Sequence, residues 1–153
     1  AANSYAGYTV TPANCVVKKP EHLSFEEAAT ITVVYLTAYY SLNYLARLSE
    51  DDTVLIHAAS GGVGIAAIRL AQLTGAKIIA TAGTDEKRRY VRSLGVEHVF
   101  DSRSLKFADE VKTATNGRGV DIVLNSLSGK GITQSIKCLA PFGRFIEIGK
   151  ADI

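Results

Sequence analysis

From residue 52 onward, short apolar runs alternate with longer segments in which apolar and polar positions follow a helical period. The apolar runs predict strands at residues 53–59, 77–82, 98–100, 120–125 and 144–148. The segments between them predict helices at residues 62–74, 85–94, 107–115 and 131–139. A continuously apolar strand such as Val54-Leu55-Ile56 is typical of a parallel sheet that is buried on both faces. The pattern therefore predicts an α/β fold, a doubly wound parallel sheet of the Rossmann type.

The residues before this region follow a different pattern. Residues 5–20 alternate loosely, which predicts short strands or an extended arm without a core of its own. Ser24 followed by Glu27 is typical of a helix start, and the largely apolar stretch 28–48 predicts one long helix after it. We therefore expect residues 1–22 to be the end of another domain or a linker, and residues 23–153 to form the nucleotide-binding domain.

Composition excludes several classes of function. Hydrophobic residues make up 47% and charged residues 21% of the chain, and the net charge is +2, so no overall basicity indicates nucleic acid or a membrane surface. No uninterrupted apolar stretch reaches the ~20 residues that a membrane span needs. Cys15 and Cys138 stand alone, without the spacing of a zinc site, so we expect no metal and a cytoplasmic protein.

A glycine-rich loop follows the first strand of the regular region. The sequence Ala59-Ser60-Gly61-Gly62-Val63-Gly64 lies between a predicted strand and a predicted helix, the context that makes such a motif informative. Compared with G-x-G-x-x-G, alanine replaces the first glycine. Gly61 would allow the backbone to approach a pyrophosphate, and Gly64 would allow helix and strand to pack closely. The N–H groups of Gly62, Val63 and Gly64, with the Ser60 hydroxyl, would then bind the phosphates.

The end of the second strand bears on the choice of cofactor. A site selective for NAD usually carries Asp or Glu there, whereas this strand ends Ala82-Gly83-Thr84. Lys87 nearby, and Ser102 and Arg103 after the third strand, could bind a 2′-phosphate by charge-assisted hydrogen bonds. The sequence therefore favours NADPH, with Thr84 as a further contact.

Four other residues are weighed in the same way. His57 ends a buried strand, where a structural role bonded to the backbone is favoured over contact with the cofactor. Arg88, Arg89 and Arg92 are expected to form a solvated helix face rather than to bind phosphate.

Six stretches together carry a specific resemblance that runs over nearly the whole chain: residues 23–48, 57–64, 83–88, 94–103, 123–127 and 143–150. They resemble the enoyl reductase domains of modular polyketide synthases. Those domains belong to the medium-chain dehydrogenase/reductase superfamily, in the zinc-free branch that includes quinone reductases. A complete member has a substrate domain in two parts around the nucleotide domain. By this resemblance the chain is a fragment that lacks the last strand of its sheet, and it should reduce little or nothing alone.

The resemblance also implies an activity and its partners. The expected reaction is transfer of hydride from NADPH to the β-carbon of an α,β-unsaturated thioester carried on an acyl carrier protein, within a larger synthase. It implies Lys150 as a proton donor or electrostatic stabiliser, Asp152 as a weaker catalytic candidate, and Thr37, Asn125 and Leu127 near the ribose or nicotinamide. A homodimer is left open.

Two other functions stay open at this point. The chain could be the nucleotide-binding domain of a free-standing quinone or enone oxidoreductase, which would share the fold and the glycine loop. It could also be a non-catalytic module that binds NADPH.

Overall fold

The structure, a computed structural model, describes residues 6–149 of the chain. It divides into two compact units, residues 1–32 and 33–153, and each is described by itself. In the first unit, a single 3-10 turn at Ala13–Cys15 and helix α1 at Phe25–Ala29 are the regular elements among residues 6–32. The predicted helix start is confirmed: the Glu27 N–H donates to Ser24 Oγ at 3.1 Å, and Glu27 Oε2 accepts from the Ser24 N–H at 2.8 Å.

The prediction of one continuous helix over residues 28–48 is wrong. After α1, a second helix, α2, covers Thr32–Tyr39 and continues as a wider π-helical turn over Tyr40–Leu45. Thr30 Oγ1 donates to the Glu27 carbonyl at 2.7 Å, and β-branched residues follow at 31–34; both features disfavour an uninterrupted helix.

Five parallel strands form the sheet of the second unit, in the order β3-β2-β1-β4-β5. They are β1 at Thr53–Ile56, β2 at Lys77–Ala82, β3 at His98–Asp101, β4 at Val120–Asn125 and β5 at Leu139–Glu147. The helices that connect them are α3 at Gly62–Thr74, α4 at Asp85–Ser93, α5 at Phe107–Ala114 and α6 at Lys130–Lys137. The predicted doubly wound parallel sheet is confirmed.

Apolar residues cover both faces of the sheet. Val54 and Ile56 pack into one core cluster, while Leu55 between them packs into a second cluster that includes Phe107 and Val111 of α5. Because successive side chains of a strand point to opposite faces, a fully apolar strand is what a sheet with two covered faces requires. None of the helices among residues 6–149 is long and apolar enough to cross a lipid bilayer.

The structure corrects two predicted boundaries near the sheet. Strand β1 ends at Ile56 rather than at residue 59, because Ala58 adopts a left-handed conformation with φ of 47° and turns the chain. Strand β5 begins at Leu139, a residue that the sequence pattern places in the preceding helix. Leu139 pairs with Val120, and a register irregularity between Val120 and Ile122 lets the strand continue to Arg144 and beyond.

Candidate functional site

The strand order creates a crevice beside β1. The chain runs from β1 outward through β2 to β3, and then returns to place β4 on the opposite side of β1. The loops that follow β1 and β4 therefore start side by side and run in different directions. Just past the end of β1, the His57 N–H donates to the Leu124 carbonyl of β4 at 3.1 Å. In open α/β sheets, ligands bind outside the carboxyl ends of the strands at such a point. A different cleft, of about 790 Å³, lies at the amino ends of the strands and is lined by Asp51, Thr53 and Lys77 among others.

The glycine loop emerges from this crevice edge in a tight turn. Ala59 is fully buried, and its N–H donates to the Thr81 carbonyl of β2 at 3.0 Å. The Gly61 N–H closes the turn on the Ala58 carbonyl at 2.9 Å. Helix α3 starts at Gly62, so the N–H groups of its first turn have no acceptor within the helix. A helix N-terminus of this kind attracts an anion.

The lack of a side chain at Gly64 allows helix α3 to pack closely against the loop before it. A Cβ atom added there would lie 2.6 Å from both the Ala58 carbonyl oxygen and the Ala59 Cα. At Gly61 the nearest atom to an added Cβ is the Ala58 carbonyl oxygen, at 3.3 Å. The predicted close packing at Gly64 is confirmed, whereas phosphate binding by Ser60, Gly61, Gly62, Val63 and Gly64 stays a prediction.

The residues predicted to bind a 2′-phosphate meet at the ends of β2 and β3. Because Ala82 pairs with Asp101, the residues that follow each strand are neighbours. A Cβ atom on Gly83 would lie 3.1 Å from Arg103 Nε and 3.6 Å from Ser102 Oγ. A hydroxyl and a guanidinium thus border a glycine backbone, a combination that fits a phosphate group.

Thr84 and Lys87 belong to the start of α4. Thr84 Oγ1 caps the helix by accepting from the Lys87 N–H at 3.3 Å, and the Lys87 side chain is exposed. Their contact with a cofactor stays a prediction.

Arg88 is not part of a solvated helix face, which corrects the expectation from the sequence. Its side chain is only 15% exposed. It donates to the Ala82 carbonyl at 3.0 Å and forms ion pairs with Asp85 and, at 3.3 Å, with Asp101. Asp101 is the last residue of β3, so Arg88 balances a negative charge that lies directly before Ser102 and Arg103 in the chain.

The other two arginines of this helix differ from each other. Arg92 is also hydrogen-bonded, donating to the Val99 carbonyl at 2.9 Å, while Arg89 is exposed as expected.

His57, which precedes the glycine loop, is buried in a structural role as predicted, but its ring nitrogens bond to side-chain hydroxyls rather than to the backbone. Its Nδ1 is 2.7 Å from Thr81 Oγ1 and its Nε2 is 2.8 Å from Ser135 Oγ. Because Ser135 Oγ donates to the Gly131 carbonyl at 2.7 Å, it accepts from Nε2–H, and Nδ1 accepts from the threonine hydroxyl. The ring meets Phe107 edge-on at 5.1 Å. Burial lowers the pKa of His57 to about 4.

At the end of β4, the Asn125 side chain is fully buried and is hydrogen-bonded to protein groups through both its nitrogen and its oxygen. Its Nδ2 donates to the Leu127 carbonyl at 2.9 Å and to Glu147 Oε2 at 2.6 Å, and its Oδ1 accepts from the Leu127 N–H at 3.3 Å. Glu147 was not singled out from the sequence. A carboxylate inside the apolar run Phe145-Ile146-Glu147-Ile148 is the signal that could have found it.

Three candidates remain: Thr37, Lys150 and Asp152. Thr37 on α2 is half-buried, and its Oγ1 donates to the Val33 carbonyl at 2.8 Å. Lys150 and Asp152, the catalytic candidates, fall outside the described residues 6–149.

Comparisons with known proteins agree on one family. The sequence profile of the family described as zinc-binding dehydrogenase matches residues 62–152. The nucleotide-binding subdomain of the enoylreductase domain of PpsC from Mycobacterium tuberculosis is 55% identical, with a TM-score of 0.76, over 79% of this chain and 68% of that one. This chain belongs to the zinc-binding dehydrogenase family, among the enoyl reductase domains of polyketide synthases. The CurK enoyl reductase agrees: it is 52% identical, with a TM-score of 0.87, over 90% of this chain and 41% of that chain.

A longer relative shows how small a part of a synthase such an enoyl reductase segment is. Highly-reducing polyketide synthase 1 of Aureobasidium melanogenum is 52% identical over 98% of this chain, which spans only 7% of that protein. Despite the family's description, residues 6–149 contain no group of three or more His, Cys, Asp or Glu side chains that could hold a metal ion.

Proposed function

We propose that the chain is the NADPH-binding part of an enoyl reductase that acts on an α,β-unsaturated acyl thioester carried on an acyl carrier protein. The observation that carries the proposal is the first turn of α3, whose N–H groups have no acceptor within the helix and lie beside the crevice next to β1. The similarity to enoyl reductase domains of polyketide synthases supports the substrate class.

The residues at the carboxyl ends of β1, β2 and β3 would hold the adenine half of the cofactor. The N–H groups of Gly62, Val63 and Gly64, with the Ser60 hydroxyl, would bind the pyrophosphate, while Gly61 leaves room for it. On the far side, Ser102 and Arg103 would bind the 2′-phosphate, because they already border the Gly83 backbone. Lys87 and Thr84 are proposed as further contacts at the start of α4.

The residues that follow β4 and β5, on the opposite side of β1 from β2 and β3, would hold the nicotinamide half of the cofactor. When bound, that half supplies the hydride for the reduction. Because the amide of Asn125 is engaged by protein groups, its contact with a cofactor would come through the backbone of the 125–127 turn. Leu127 and Thr37 are proposed to border the nicotinamide. We propose Lys150 to stabilise negative charge on the thioester oxygen or to donate the proton, and Asp152 to assist.

The partners follow from the length of the relatives. Since the chain spans 7% of the fungal synthase that it matches, the remaining domains of such a synthase are the proposed partners, together with the acyl carrier protein. A cytoplasmic location is part of this proposal, and a homodimer stays open.

The cofactor assignment can be tested by fluorescence titration of the chain with NADPH and NADH. We expect tighter binding of NADPH, and a loss of that preference in Arg103→Ala. One charge-assisted hydrogen bond contributes about 1.5–3 kcal/mol, so the affinity for NADPH should fall roughly 10- to 150-fold. Arg69→Ala, an exposed arginine on α3, is the matched control and should bind both cofactors as the wild type does. Equal affinity of the wild type for the two cofactors would contradict the 2′-phosphate assignment.

The reaction itself is tested in a full-length reductase that contains this chain, with crotonyl thioester and a small quinone as competing substrates. Reduction of the thioester supports the proposal, and reduction of the quinone alone supports a quinone oxidoreductase instead. If the wild type reduces neither but binds NADPH, the non-catalytic module is the better description. Unchanged thioester reduction by Lys150→Ala would remove that lysine from the mechanism.

A further inference from the structure

A carboxylate and an amide join the two loops that follow β4 and β5. Glu147 is the last residue of β5, and Asn125 is the last residue of β4, paired with it in register. Their side chains meet at 2.6 Å, with Asn125 Nδ2 donating to Glu147 Oε2. We refer to these two residues as the Asn125–Glu147 pair.

Both N–H groups of the Asn125 amide and its oxygen are hydrogen-bonded to the protein. One N–H of Nδ2 reaches Glu147 and the other reaches the Leu127 carbonyl, while Oδ1 receives the Leu127 N–H. The side chain therefore fixes the turn at residues 125–127 in one geometry. Because it is fully buried, any loss of its partner would leave an amide N–H unsatisfied.

The second carboxylate oxygen fixes the other loop. Glu147 Oε1 accepts from the Gly149 N–H at 2.5 Å. A Cβ atom added to Gly149 would lie 2.8 Å from that oxygen and 3.9 Å from the Ser126 carbonyl carbon, so the two loops are packed against each other. One carboxylate thus accepts from both loops, as a group with two acceptor oxygens can.

The sheet order separates this pair from the residues proposed to hold the adenine half. Ser102 and Arg103 follow β3, two strands from β1 on one side, whereas the pair ends β4 and β5 on the other side. A dinucleotide lies across the crevice at the point where the strand order reverses, so the two ends of the cofactor fall on opposite sides of β1. The pair therefore borders the half opposite to the 2′-phosphate.

We propose that Glu147 is a positioning residue for the nicotinamide half of the site, acting through Asn125 and the Gly149 backbone rather than by touching the cofactor. This inference rests on the proposed function. An apolar residue at position 147 would continue the apolar strand, but it would leave the Asn125 and Gly149 N–H groups without their acceptor and free both loops to reorient.

Two probes separate the halves of the site. NADP+ contacts the whole crevice, whereas adenosine 2′,5′-bisphosphate carries only the adenine and 2′-phosphate. In Glu147→Gln the side chain keeps its shape, but one oxygen becomes an NH2 group that faces another N–H. We expect NADP+ to bind roughly tenfold more weakly and the bisphosphate to change less than about twofold. Glu97→Gln, an exposed glutamate before β3, is the matched control and should leave both affinities unchanged.

Gly149→Ala disturbs the same contact from the opposite side, since its Cβ would displace Glu147 Oε1, and it should show the same selective loss. This second variant decides the question if Glu147→Gln does not fold. Unchanged NADP+ affinity in both variants overturns the inference, and so does an equal loss for both probes, because the residue would then act on the whole domain. A wild-type chain that binds neither probe overturns the proposed function itself, together with the inference built on it.

Discussion

His57 makes the stability of the domain depend on pH in a defined window. The imidazole is buried among Thr81, Ser135 and Phe107, and both ring nitrogens are engaged while it is neutral. Protonation would place a positive charge in this site and add a second N–H where Nδ1 now accepts from Thr81. Accordingly the pKa is lowered by burial from 6.5 to about 4.

The direction and size of the effect follow from proton linkage. The unfolded chain takes up a proton on this histidine below about pH 6.5, whereas the folded chain does so only near pH 4. The free energy of unfolding is therefore fully maintained above about pH 6.5 and falls as the pH drops toward 4. At 1.36 kcal/mol for each pH unit, the loss is about 2 kcal/mol at pH 5 and about 3 kcal/mol at pH 4.

The assay is urea unfolding followed by far-UV circular dichroism at pH 7.5 and pH 5, for the wild type and His57→Gln. Glutamine can still bond to one neighbour but does not titrate. At pH 7.5 we expect the free energy of unfolding of the variant to be about 1–3 kcal/mol below that of the wild type. At pH 5 the difference between the two proteins should be smaller by about 2 kcal/mol, because only the wild type loses stability through residue 57. Contributions of groups other than residue 57 cancel in the difference between the two proteins. Parallel pH dependences of wild type and variant would refute the reasoning.

Two further substitutions test the packing of the site, each with a control close in sequence. Gly64→Ala should destabilise the domain by about 1–3 kcal/mol in urea unfolding, because its Cβ would overlap the loop backbone, while Gly61→Ala should cost clearly less; equal costs would contradict the close approach at Gly64. Arg88→Ala should lower the thermal midpoint through loss of its contacts at the ends of β2 and β3, corresponding to about 1–2 kcal/mol, whereas the exposed Arg89→Ala should lie within about 0.5 kcal/mol of the wild type. A smaller effect at Arg88 than at Arg89 would show that Arg88 is solvated after all.

The fold was predictable because its signals are local and repeated. Each continuously apolar strand and each glycine or capping residue between strand and helix indicates the same architecture, so the strands and helices after residue 52 lie near their predicted positions. The glycine loop was predictable for the same reason, since the close backbone approach at Gly64 requires a glycine that a short motif records.

The errors arose where a residue's partner is distant in sequence or where a chain turn overrides propensity. From the sequence alone, Arg88 resembles a solvated helix residue, because its ion-pair partner Asp101 lies on strand β3 and not on the same helix. Glu147 has no partner within its own strand, because Asn125 lies 22 positions earlier. The break between α1 and α2 depends on a threonine hydroxyl that bonds to the preceding turn, which hydrophobic periodicity does not register.

The strand order also dictates the sequence in which the domain can be assembled as the chain leaves a ribosome. Strands β1, β2 and β3 can pair as soon as each connecting helix has emerged, but the other side of β1 must wait for β4. The hydrogen bond between Thr53 and Asp121 spans 68 positions, so the pairing of β1 with β4 closes late and has the largest single loop-closure cost among the strand pairings of the sheet. Until then one edge of β1, the apolar centre of the finished domain, stays open to solvent and to other chains. The slowest and most aggregation-prone stage of folding is therefore expected between synthesis of residue 101 and residue 125.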